Sequence, residues 1–131
     1  MTLRGTMTVA GVLALVVAGT ASAATAKPTA SKVATCLKAA GAQDVTTPRP
    51  ALKAFPSEYG SVLGRAPTGN GIGVYLFTSK AQASSYIVDI QKDNPEDLIG
   101  TANGGFTVLL VEKAAVGNSK AMALLSRCTA S

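Results

Sequence analysis

The stretch PTGNGIGVYLF (67–77) decides the fold. Gly69, Asn70 and Gly71 punctuate the chain, and GIGVYLF (71–77) is dense in the β-branched and aromatic residues that favour strands. Asn-Gly between apolar runs is the strongest short-range hairpin signal. The shorter apolar piece SVLG (61–64) therefore reads as the partner strand. The arrangement returns downstream, where NGG (103–105) stands between DLIG (97–100) and FTVLLVE (106–112) and predicts a second hairpin. An old ββα duplication is one account of the likeness between the halves. The shared demands of hairpin turns are another.

Around the hairpins the period becomes helical. Val33, Cys36, Leu37 and Ala40 fall at i, i+3, i+4 and i+7, and Gly41 follows as a helix stop. Ala83, Tyr86, Ile87 and Ile90 repeat that spacing. Their helix opens at Ser79, with Gln82 three residues on as in a capping box, and ends before Pro95. Ala121, Leu124, Leu125 and Cys128 make the third stripe, opened by Asn118 or Ser119. The expected order is α-β-β-α-β-β-α. This is a two-layer α+β domain whose mainly antiparallel four-stranded sheet carries its helices on one face. Residues 42–60, with three prolines, read as irregular with room for a short strand near Val45.

The two cysteines, Cys36 and Cys128, lie on the apolar stripes of the first and last helices. Whether they pair depends on the compartment. The chain opens with Arg4, an apolar run from Met7 to Ala18 and then TASAA, the layout of a signal peptide cleaved after Ala23. A retained anchor is the alternative, but the run falls short of the roughly 20 residues that a spanning helix needs. The expected organisation is a signal peptide over 1–23, a linker over 24–30 and one domain over 31–131. The expected location is secreted, extracellular or in the cell envelope, with no membrane contact after cleavage. In an oxidising compartment two thiols form a disulfide, Cys36–Cys128, which joins the first and last helices. Closing so long a loop is worth roughly 4–5 kcal/mol in the chain-entropy model.

Composition narrows the chemistry. There are 12 basic and 7 acidic side chains, and losing Arg4 leaves an excess of four positive charges. The cations form no run and aromatics are few, which argues against nucleic acid and for mild attraction to anionic envelope polymers. No histidine is present. That removes the commonest acid–base agent, serine triads and Cys–His nucleophiles, and with both thiols paired no metal site is expected. GNGIG (69–73) precedes a strand instead of opening a helix, so it reads as a turn and not a phosphate loop. DNPED (93–97), with Asp89, collects four carboxylates but lacks the alternate-residue spacing of a calcium loop. Asp93, Glu96 and Asp97 are read as a solvated helix end entering a turn. No catalytic residue and no cofactor are expected.

Alternation along the long strands points to a binding surface. Ile72, Val74 and Leu76 face one way and Tyr75 and Phe77 the other, while Leu109 and Val111 lie opposite Phe106, Val108 and Leu110. Both faces are apolar, yet one helical layer covers a single face. The expected surface is Tyr75, Phe77, Leu109 and Val111, rimmed by Phe55 and Tyr59. Its occupant would be the 42–60 segment, a second copy pairing sheet to sheet as a homodimer, or an apolar ligand.

The leader, CLKAAGAQDV (36–45) and the closing LLSRC (124–128) together resemble small exported proteins of high-GC Gram-positive bacteria. The resemblance implies export and brings no particular activity. The expected function is an exported, non-catalytic binding module for a protein or cell-envelope partner. The alternatives are a secreted protease inhibitor presenting TTPRPALKAF (46–55) and a small apolar-ligand carrier.

Overall fold

The computed structural model describes residues 27–48 and 53–130. The expected signal peptide, the first half of the linker and the centre of the 46–55 loop lie outside the described residues.

Helix α1 (Ala30–Ala39) is capped by Thr29, whose hydroxyl accepts from the Lys32 N–H at 3.2 Å. It stops as expected, with Gly41 left-handed at φ 96°. Strands β1 (Gln43–Thr46), β2 (Glu58–Arg65) and β3 (Gly71–Phe77) follow. Helix α2 (Lys80–Asp93) begins at Ser79, whose Oγ accepts from the Gln82 N–H at 3.2 Å. The reciprocal half of the capping box is absent. The Gln82 Oε1 instead accepts from the Ser57 N–H at 2.8 Å and ties the turn before β2 to the helix start. Strands β4 (Leu98–Ala102) and β5 (Thr107–Val111) flank a short turn over Asn103–Gly105, and α3 (Asn118–Thr129) follows.

The strands form one sheet in the order β1-β2-β3-β5-β4, each neighbouring pair antiparallel. The α+β class stands, with five strands in place of the expected four. The extra strand is β1, at the position of Val45. It was hard to read because Asp44 sits at φ 55° and the register with β2 shifts between Gln43 and Thr46.

The expected single helical layer is corrected. α1 and α3 pack on one face, over Val62, Ile72, Val74, Leu76, Leu109 and Val111. α2 packs on the other, over Tyr75, Phe77 and Val108. The reason lies in the strand order. β3 and β4 run parallel with β5 between them, so α2 is the crossover helix of a split β-α-β unit, and the near-universal right hand of such crossovers fixes its face. Two apolar faces required two covers, and the chain supplies both.

The halves also differ in hand. A half-turn about the sheet normal brings β2 and β3 onto β4 and β5, but leaves α2 on the face opposite α3. A simple ββα duplication does not generate that arrangement.

Candidate functional site

Of the six residues expected to form the binding surface, three come together. Phe55 meets Phe77 edge-on with ring centroids 6.3 Å apart, and Tyr86 of α2 completes the cluster, 5.5 Å from Phe55, 4.9 Å from Tyr75 and 5.8 Å from Phe77. Phe77 is buried, so this face is a filled core beneath α2 and the 53–57 turn.

The other three lie elsewhere. The register pairs Val74 with Leu109 and Ile72 with Val111, which places Leu109 and Val111 under α1 and α3. Tyr59 also packs against that core, with its hydroxyl donating to the Pro28 carbonyl at 2.8 Å and the Lys27 ammonium 5.8 Å from its ring centroid. The expected surface therefore mixed two faces. A one-residue slip in assumed register transfers a whole strand's side chains to the opposite side. Phe77, Leu109 and Val111 are buried, while Tyr75 is half-buried.

The α2 core is chemically quiet but electrostatically loaded. Glu58 is buried within the field of Tyr75 and Tyr86, whose hydroxyls hydrogen-bond each other. Burial raises the Tyr75 pKa above its ordinary value, opposed by the hydrogen bond from Tyr86 and assisted by the charges of Glu58 and Glu112. Burial raises Tyr86 further, followed by its contacts with Tyr75 and the charge of Glu58. Both phenols are half-buried, and their shifts favour the protonated form. Among the described residues no three or more metal-ligating side chains converge, so Asp89, Asp93, Glu96 and Asp97 do not assemble into a cage.

Three depressions are lined by described residues. Where α2 stops short, a depression of about 320 Å³ is bordered by Leu63, Gly73, Tyr75 and Leu110. A second, of about 470 Å³, lies at the start of α3 beside Thr68 and residues 115–120. A third, of about 320 Å³, runs along the seam between α3, the end of α1 and the β2–β3 turn. Ala40, Ala66, Pro67 and Leu124 are among its apolar lining, and the exposed Lys120 and Arg127 border it.

The third groove belongs to a larger feature. α1 and α3 lie side by side, joined by the disulfide Cys36–Cys128 with its Cα atoms 5.5 Å apart. Lys32 and Lys38 on α1 and Lys120 and Arg127 on α3 are all exposed, and neither helix carries an acid. The described residues hold ten basic and seven acidic side chains, and without these four they hold six and seven. The excess positive charge therefore resides on the α1–α3 layer. On the opposite side α2 and its exit turn carry Asp89, Asp93, Glu96 and Asp97 against Lys80 and Lys92. These four cations were missed as a site because along the chain they are scattered. The signal was present, since both helices were expected to lie together and each holds two cations and no acid.

Comparison with protein-family models, curated proteins and solved structures finds no match. Among the described residues no helix is long and apolar enough to cross a membrane.

Proposed function

We propose that the chain is an exported, non-catalytic binding module that docks an acidic partner on the α1–α3 layer. The observation that carries this reading is the segregation of charge onto two helices locked to one another by a disulfide. A rigid cationic face with an apolar seam favours association with anionic chains, and separation from the acidic side of the molecule orients the encounter. Export is supported by the disulfide together with the leader-like N-terminal sequence.

The test is retention on immobilised poly-glutamate at low salt. The quadruple variant Lys32→Gln, Lys38→Gln, Lys120→Gln, Arg127→Gln should elute in the flow-through. A control with Lys53, Arg65, Lys80 and Lys92 changed to Gln should be retained like the parent. Equal loss in both would show that net charge, and not this layer, holds the column.

A further inference from the structure

We infer that the groove between α3 and the β2–β3 turn is the point at which this layer reads its partner, and that the ligand it takes is an extended acidic peptide segment. The inference rests on the cationic-layer reading and adds the partner's chemistry. Lys120 and Arg127 are seven residues apart on one helix, close to two full turns, so they project from the same side about 10 Å apart along its axis. Between them the wall is small and apolar. Ala121 and Leu124 are buried in it and Ala123 is exposed at its lip, while Ala66 and Pro67 form the opposite wall. No acidic side chain lines the groove. Its polar features are the two cations and Thr68, whose hydroxyl is already committed to the Asn70 side chain.

That combination selects among anionic partners. An inorganic polyphosphate satisfies the cations but has nothing to set against alanine, proline and leucine. A membrane surface is flat, and its binders anchor with exposed aromatic or large aliphatic side chains. The exposed large apolar residues of the described chain are Leu63, Val88, Phe106 and Val116, none of them on α1 or α3. A peptide offers both kinds of group. In a polyproline-type extended chain, residues three apart lie on the same edge and about 9 Å apart, which matches the spacing of the two cations. The expected pattern is two acids separated by two small apolar residues.

The experiment measures binding of an end-labelled, capped peptide containing Glu-Pro-Ala-Glu by fluorescence anisotropy. An isomer with its two glutamates adjacent, inorganic polyphosphate and phosphatidylglycerol vesicles serve as competitors. The spaced peptide should bind several-fold more tightly than its isomer. Lys120→Gln and Arg127→Gln should each weaken it by about three- to five-fold. Ala123→Phe fills the groove without changing charge and should abolish the preference for the spaced peptide while the thermal midpoint is kept. If the two peptides bind alike and Ala123→Phe changes neither, the groove does not read peptides. Polyphosphate or vesicles competing as well as the spaced peptide, unaffected by Ala123→Phe, would overturn the proposal in the same way. In both cases retention on poly-glutamate through the four cations would still stand. Loss of that retention as well would bring down the broader reading.

Discussion

Asn70 is 2% exposed, and each part of its side chain is occupied. Its amide nitrogen donates to the Glu112 carbonyl at 3.1 Å and to the Asn118 Oδ1 at 2.8 Å, and its own Oδ1 accepts from the Thr68 hydroxyl. Asn118 in turn accepts from the Ala114 N–H and donates to the Ala114 carbonyl, both at 2.9 Å. One side chain thus ties the β2–β3 turn to the end of β5 and the start of α3. Asn70→Ala leaves buried groups without partners, and we expect a loss of about 2–3 kcal/mol, seen as a lower midpoint in urea. A change below about 0.5 kcal/mol, the range of ordinary surface substitutions, would mean that water replaces the amide without cost. The tyrosines make a second test at this scale. Burial raises all three, Tyr59, Tyr75 and Tyr86, above the ordinary phenol value near 10. The unfolded chain therefore gives up phenolic protons that the native state retains. Their contribution to stability is complete below about pH 10 and is lost as pH climbs beyond it. In an alkaline titration followed by phenolate absorbance, ionisation should lag behind that of free phenol and coincide with unfolding. Tyr86→Phe should make the fall of stability with pH shallower. Ionisation at the free-phenol pH in a protein that stays folded would contradict this.

The helices and the bond between the first and last of them could be read from the sequence because their signals are local. Val33, Leu37, Leu124 and Leu125 all lie on the stripes that periodicity assigns, and each is buried where the cysteines join. Both hairpins were legible too, although the first for a different reason. Its left-handed residue is Gly69 at φ 97°, while Asn70, half of the Asn-Gly signal, serves as a buried hydrogen-bonding hub. What could not be read was non-local. Nothing within GIGVYLF states that β5 will separate β3 from β4, and that order decides which face α2 takes. Nothing within FTVLLVE fixes its register, which follows from a turn in which Asn103, Gly104 and Gly105 all have positive φ. The aromatic cluster is legible as an apolar face, and Phe55 of the 42–60 segment covers part of it as expected, but the sequence does not show that α2 supplies the rest of the cover. Pairing of Cys36 with Cys128, 92 positions apart, constrains nearly the whole domain. Reduction should therefore lower stability by up to about 4–5 kcal/mol, a large fraction of what a small domain possesses. Thermal unfolding with and without reductant measures it. A native protein with two thiols titratable by a chromogenic reagent would show that the bond does not form.

At the scale of the molecule the sheet acts as a partition. It places two cationic helices on one side and a helix with an acidic exit on the other, so a chain of modest net charge has a strong internal polarity. The number of cations engaged by a polyanion can be counted, because each contact releases condensed counterions and steepens the salt dependence by a fixed increment. With four cations on one layer, the log–log slope of poly-glutamate affinity against salt should be roughly −3, taking the coefficient for flexible single strands. Removing Lys32 and Lys38 together should reduce the magnitude by roughly 1.4, and removing Lys120 and Arg127 should do the same. Lys80→Gln with Lys92→Gln should leave the slope as it was, since those two belong to the helix on the opposite side of the sheet. The pattern of slopes is a sharper test than affinity alone, because any loss of positive charge weakens affinity whereas only loss of a contacting cation changes the count. A slope near −1 in the parent would mean that a single cation is engaged and that the two helices do not act as one surface. A slope that responds equally to all six substitutions would mean that the polymer meets the protein in no fixed orientation, and that the partition has no part in binding.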